Sequence, residues 1–150
     1  MVVIKQVSAE ETYAIRLETL RNGIDLPVQF SGDFDSETFH LGVFEDDELK
    51  GISSFMKTTN ELFDTPQYQL RGMATLPNAR GKGFGKLMLQ YSFSHLRENK
   101  INTLWCNARE IALDFYLKEG FLEKGVSFEI QQIGIHYKLY KKIMCDNIKR

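Results

Sequence analysis

The chain has 150 residues, 43% of them hydrophobic and 26% charged, and its nineteen basic residues face twenty acidic ones for a formal charge of −1. That is the balance of one ordinary globular domain with its own core, here residues 1–150, and it excludes the net basic field that holds nucleic acid. Short apolar runs exclude a bilayer span, and Met1-Val-Val-Ile-Lys5 lacks a signal peptide's basic flank and long apolar stretch, so a cytoplasmic protein without a membrane partner is expected.

Val2 to Val7 reads as a first strand. Ser8-Ala-Glu-Glu11 then has the form of a capping box, in which the two outer side chains satisfy free backbone N–H groups, and it predicts a helix from about Ala9 to Arg21. Asn22 to Ser36, with Gly23, Pro27 and Gly32, reads as loop with room for a short helix. Phe39 to Phe44 and Ile52 to Lys57 are strand-like, joined by the acidic turn Glu45-Asp-Asp-Glu48 and closed by Gly51. They predict a hairpin that lacks the usual two-residue turn signature and has a solvated acidic tip. Gln67 to Thr75 is the next strand, ended by Pro77-Asn-Ala-Arg-Gly81. From Phe84 the apolar residues Phe84, Leu87, Met88 and Tyr91 follow the spacing of an amphipathic helix, extended by His95 and Leu96. Ile101 to Cys106 is a short buried strand in which Cys106 is a small core residue. Cys106 and Cys145 match no metal or redox spacing, so free thiols and no metal site are expected. Asn107-Ala-Arg-Glu110 repeats the capping-box form and opens a helix that Gly120 stops. Strands around Phe121 to Ile130 and Ile135 to Ile143 complete the chain. The order β-α-loop-β-β-β-α-β-α-β-β predicts an α/β (α+β) fold with a mixed sheet, parallel where strands flank helices and antiparallel at the hairpin and the end.

The most informative segment is Arg80-Gly81-Lys82-Gly83-Phe84-Gly85-Lys86, between a strand and an amphipathic helix. The first turn of a helix leaves backbone N–H groups unpaired and carries partial positive charge, which suits an anion. Glycines at alternate positions remove the Cβ atoms that hold a phosphate away from those groups, and Arg80, Lys82 and Lys86 add full charges. A Walker A loop fails, because Gly85-Lys86 is followed by Leu87 and position 80 is not glycine. A Rossmann turn or a kinase loop fails, because Lys86 stands where the third glycine belongs.

The spacing that fits is Gln/Arg-x-x-Gly-x-Gly/Ala, filled by Arg80, Gly83 and Gly85. It resembles the acyl-CoA pyrophosphate loop of the GCN5-related N-acetyltransferase (GNAT) superfamily. A second segment, Ala112-Leu-Asp-Phe-Tyr116-Leu-Lys-Glu-Gly120-Phe121, resembles that superfamily's Ala-x-x-Phe-Tyr-x-x-x-Gly-Phe, one helix and one strand further on. The resemblance spans about Tyr68 to Tyr140 and points to small single-domain bacterial members. It implies a central mixed sheet, flanked by helices, that splays at a bulged fourth strand. Here that strand is Gln67 to Thr75, with Gly72 as the bulge residue. It implies acetyl-CoA as co-substrate. The backbone of Met73, Ala74 and Thr75 would pair with the pantetheine arm. The backbone from Arg80 through Gly81, Lys82, Gly83, Phe84 and Gly85 to Lys86 would hold the pyrophosphate. The acceptor would be a small-molecule or peptide amine, and the resemblance admits a homodimer.

Transfer to an amine requires that amine to be neutral, yet an amine of pKa ~10.4 is only about one part in two thousand neutral at pH 7. It also needs a donor for the oxyanion, for which a backbone N–H near Met73 is suited, and a proton for the leaving thiolate. In the resembled motif Tyr116 is that acid, although its helix face also reads as core packing. Asn107 is a cofactor contact by resemblance and a helix cap by position. Many relatives carry a glutamate base on the fourth strand, whereas Gln67-Tyr-Gln-Leu-Arg-Gly72 has no acid. His136 is a candidate base because its pKa suits the task, with a packed strand histidine as the simpler account. The missing acid leaves a rival function, an acyl-CoA-binding sensor without transfer.

Overall fold

The computed structural model describes residues 1–143, so Cys145 lies outside the described residues. Val2–Val7 forms β1, and Ala9–Ile15 forms α1 under the expected capping box. The Ser8 hydroxyl accepts from the Glu11 N–H at 3.2 Å, and the Glu11 carboxylate accepts from the Ser8 N–H at 2.8 Å. The helix continues as expected to Leu20, but Arg16–Leu20 widens into a π turn, with the Arg21 N–H reaching back to the Arg16 carbonyl at 3.1 Å. Such widenings often mark a side chain with special work, and Arg16 is fully buried.

Phe39–Glu45 and Glu48–Thr58 form β2 and β3. The hairpin is tighter than expected: Glu45 pairs with Glu48, so only Asp46 and Asp47 make the turn, with φ of 49° and 69°. Short polar aspartates tolerate this left-handed backbone, so Asp-Asp replaces the glycine-bearing signature. The Asp46 carboxylate also accepts from the Met1 ammonium at 2.8 Å. Gln67–Thr75 forms β4 with its expected bounds, Pro77–Ala79 is a short 3₁₀ turn, and Phe84–Glu98 forms α2. Its buried residues are Phe84, Met88, Leu89, Ser92, Phe93 and Leu96, while Leu87 is 41% exposed. Thr103–Arg109 forms β5, and a 3₁₀ turn at Glu110–Ala112 leads into α3, Leu113–Lys118. Leu122–Glu123, Phe128–Ile130 and Gly134–Lys142 form β6, β7 and β8.

The residues divide into two compact units. Unit 1, residues 1–56 and 70–92, carries the strand order β1-β2-β3-β4, antiparallel from β1 to β3. Part of its core gathers Ile15, Ile52 and Ala74 beneath Leu20, Leu49 and Leu76. Unit 2, residues 57–69 and 93–150, is centred on β8, which pairs antiparallel with β5, β6 and β7. The single long strand expected from Phe121 to Ile130 is two short ones, β6 and β7, because the chain leaves the sheet around Gly125, at φ 77°. Among the described residues no helix is long and apolar enough to cross a membrane.

Candidate active site

Unit 1 holds the glycine-rich loop and its supporting strand. Inside β4, Gly72 has φ 63°, an irregular backbone that the missing Cβ permits. Met73, Ala74 and Thr75 follow, with Ala74 turned into the core. The Arg80 guanidinium folds back and donates to the Thr75 carbonyl at 3.3 Å, tying the loop to the end of β4. Gly81 and Gly83 both have φ 81°, and a Cβ built on either would meet nothing within 4 Å. Their glycines are therefore demanded by the backbone and not by protein packing, and the space over them is open to an incoming group. The Gly83 carbonyl accepts from the Leu87 N–H at 3.0 Å, so Gly83 caps α2 and the N–H groups of Phe84, Gly85 and Lys86 belong to the unpaired first turn. This cradle fits a diphosphate.

One contact at the loop is absent from the sequence reading. The Lys82 ammonium donates to both carboxylate oxygens of Glu45 at 3.0 Å, which ties the supposedly solvated hairpin tip to the loop. Lys86 stands exposed.

Unit 2 holds Asn107, Tyr116 and His136. The capping-box reading of Asn107 is overturned. β5 runs on to Arg109 in register with β8, with Asn107 opposite Lys138, and the amide oxygen of Asn107 accepts from the Lys138 ammonium at 2.7 Å. The helix opens later, and its cap residue Ala112 has no side chain able to accept. Cross-strand pairing outweighed the local cap because the ladder along Thr103–Arg109 satisfies several backbone groups where a cap satisfies one or two. Lys138 also lies over the Trp105 ring at 4.7 Å, and burial lowers its pKa.

Tyr116 sits in α3, and its surroundings explain the spacing of its motif. The Phe121 N–H donates to the Tyr116 carbonyl and the Gly120 N–H to the Leu117 carbonyl, both at 3.1 Å, with Gly120 at φ 96°. This is a Schellman ending, and its usual apolar contact is the edge-on pair of Tyr116 and Phe121 rings at 5.3 Å. Phe115 closes on Tyr116 at 5.1 Å. Burial, and secondarily the neighbouring Cys106, pushes the Tyr116 hydroxyl well above the usual range, so it keeps its proton at every physiological pH. Burial also pushes the Cys106 thiol far up, which suits a core residue and not a nucleophile.

His136 is buried on β8 beside the Phe128 ring, 6.0 Å between centroids. Its Nδ1 lies 2.8 Å from the Gly134 carbonyl. A carbonyl can only accept, so Nδ1 carries the proton and a neutral ring keeps its lone pair on Nε2.

The sequence reading also missed a buried polar cluster in unit 1. Arg16 donates to the Asp33 carboxylate oxygens at 2.8 and 2.9 Å, to the Val28 carbonyl at 2.8 Å and to the Ser54 hydroxyl at 2.9 Å. His40 Nε2 donates to the Asp33 carbonyl at 3.0 Å, and its Nδ1 takes the Ser54 proton at 2.7 Å. Burial alone would raise the Asp33 pKa, but hydrogen bonds from Arg16 and Phe30 and the Arg16 charge hold it below the usual range. No short-range spacing announces this group, since its members come from the π turn after α1, the following loop, β2 and β3.

Residues 8–121 match the acetyltransferase (GNAT) family. The chain is 36% identical over 145 residues to the N-acetyltransferase YitI of Bacillus subtilis, covering 95% of this chain and 97% of that protein. The structure is similar to that of Escherichia coli ElaA, with TM-score 0.75 at 16% identity over 94% of this chain and 99% of that one. It is also similar to an aminoglycoside 6'-N-acetyltransferase complexed with coenzyme A, with TM-score 0.73 at 11% identity over 95% and 98% of the two chains. The mixed α+β fold is the one these structures share.

Proposed function

The chain belongs to the acetyltransferase (GNAT) family, and from that premise we propose that it works as a single domain that moves an acetyl group from acetyl-CoA to a primary amine by direct attack. It is an acyl-CoA-dependent N-acyltransferase with acetyl-CoA as co-substrate. The observation that carries the proposal is the loop before α2: two glycines at φ 81° with open space over them, ahead of the first turn of a helix. In this reading the backbone of Gly81 to Lys86 binds the pyrophosphate, with Arg80 bracing the loop through Thr75. Backbone groups of Met73 to Thr75 bind the pantetheine arm, and Asn107 contributes a polar contact. Bound acetyl-CoA supplies the activated acyl group and a thiolate leaving group.

Tyr116 is the proposed proton donor. Its buried hydroxyl stays protonated, so it meets charge developing on the sulfur as a loaded donor. A backbone N–H near Met73 is the proposed oxyanion donor. His136 is the proposed acceptor of the amine's proton, through the Nε2 lone pair that the Gly134 contact leaves in the neutral ring.

The test is release of coenzyme A thiol from acetyl-CoA across a panel of amines. Amine-dependent release is expected, and binding of acetyl-CoA with no release for any amine would reduce the protein to a sensor. In the same assay His136→Ala should lose most rate near pH 7 and less at high pH, where more amine is already neutral. A small loss that does not vary with pH would return His136 to packing.

A further inference from the structure

Unit 1 points to a chemical class of acceptor through Phe30, in the loop between α1 and β2. Its ring takes the place of a side chain at Gly72: a Cβ there would lie 2.7 Å from Phe30 Cε2. Phe30 is thus pressed onto β4 at the strand's irregular residue, as a fixed platform. Guanidinium groups gather on that platform, Arg16 at 3.7 Å from the ring centroid and Arg71 at 4.6 Å.

The two cations differ in how they are balanced. Arg16 is matched: Asp33 takes its charge through two hydrogen bonds, and Val28 and Ser54 take further donors. Asp33 also accepts a third bond, from the Phe30 N–H at 2.9 Å, on the oxygen that takes Arg16 Nη1. Arg71 has a single long hydrogen bond, 3.3 Å to the Ser31 carbonyl, and forms no ion pair among the described residues. It is half-buried, and its pKa is lowered first by that burial and then by the charges of Arg16 and Arg21, with Asp33 acting the other way. A guanidinium remains charged even so. Arg16 and Asp33 balance each other, Arg21 lies further out over the same ring at 5.5 Å, and Arg71 keeps its positive charge on a planar fork whose remaining donors fit a carboxylate. Arg71 stands two residues before Met73, whose backbone the proposed function places against the pantetheine arm.

We propose that Arg71, braced on Phe30, binds a carboxylate of the acyl acceptor, so that the acceptor is an amine that also carries a carboxylate, of the amino-acid kind, and not a polycationic amine. The fixed positive charge repels acceptors with several ammonium groups and rewards those that bring their own anion. This reading rests on the transferase function proposed above and narrows its substrate.

The experiment titrates matched amines into the full chain saturated with coenzyme A, by calorimetry: L-amino acids, their carboxamides, and diamines. The amino acids should bind about tenfold or more tightly than their amides, the scale of a lost charge-assisted hydrogen bond. Arg71→Gln should bring that ratio close to one and leave acetyl-CoA affinity unchanged. Arg71→Lys, which keeps the charge without the fork, should keep part of the ratio and serves as the folded comparison if the glutamine variant is unstable. Amides or diamines that bind as well as amino acids, a ratio unchanged in Arg71→Gln, or no binding by any amino acid would each overturn the proposal. Thiol release run in parallel keeps the two readings apart. Diamine acetylation would leave the transferase standing and remove the carboxylate site. Amino-acid discrimination without thiol release would do the reverse.

Discussion

The loop from Arg80 to Lys86 and the cluster around Arg16 both handle charge in unit 1, by opposite means. The loop is built from backbone: left-handed glycines, a free helix start, and open space over Gly81 and Gly83. The cluster is built from side chains contributed by distant positions, sealed from water and internally matched. An open backbone site can accept and release an anion with little rearrangement, because helix N–H groups are already oriented. A sealed ion pair holds its shape because any loss leaves a buried charge uncompensated. The contrast suits the first to the ligand exchange proposed for it and the second to fixing the α1–β2 loop, with the Phe30 platform.

The largest expected effect breaks the sealed region. Asp33→Asn leaves Arg16 buried without its counter-charge and should cost about 3–5 kcal/mol of stability, read from denaturant unfolding. The carboxyl of Asp33 is held below its usual range, so its contribution is present above the unfolded pKa and lost as pH falls through the folded one. The wild-type protein should therefore lose stability at acid pH more steeply than the variant. A cost under about 1 kcal/mol would mean that the cluster behaves as a surface pair.

Tyr116→Phe sharpens the comparison from outside it, in unit 2. The ring and its packing on Phe121 stay, and only the hydroxyl goes. Turnover should fall about tenfold to a thousandfold with stability and acetyl-CoA affinity near normal. Full activity would make Tyr116 a packing residue, and loss of folding would make its hydroxyl a structural partner. The smallest expected effect concerns the loop. Glu45 holds Lys82 and places negative charge beside the phosphate cradle. Glu45→Gln should raise acetyl-CoA affinity by about threefold at low salt, within the range of an exposed ion pair, and less at high salt. Weaker binding would mean that Glu45 orients Lys82 for the ligand.

The same contrast explains what could be read from the sequence. The form of the loop was legible because its glycines and the helix start lie in seven consecutive residues, while its binding role stays a proposal. The Tyr116 motif was legible for a like reason: its Gly120-Phe121 ending is a Schellman motif written in local sequence. Ser8 and Glu11 announced their capping box in the same way. Asn107 carried an equally good capping pattern and failed, because pairing of β5 with β8 supplies a longer-range alternative that local spacing does not record. The hairpin turn was read at Glu45 to Glu48, but its tight two-residue form was not, because aspartate is a less common occupant of two left-handed positions. Arg16, Asp33, His40 and Ser54 gave no signal, since only folding brings them within hydrogen-bonding distance.

The account depends most on the cradle at Gly81 to Lys86, and titration calorimetry of acetyl-CoA against the wild type, Gly83→Asn and Gly83→Asp tests it most directly. Gly83 has φ 81° with open space over it, so both replacements bear a similar backbone strain and differ in charge. The account predicts a folded aspartate variant whose affinity is lower than that of the asparagine variant by about tenfold or more. Equal affinity in well-folded wild type, asparagine and aspartate proteins would contradict it.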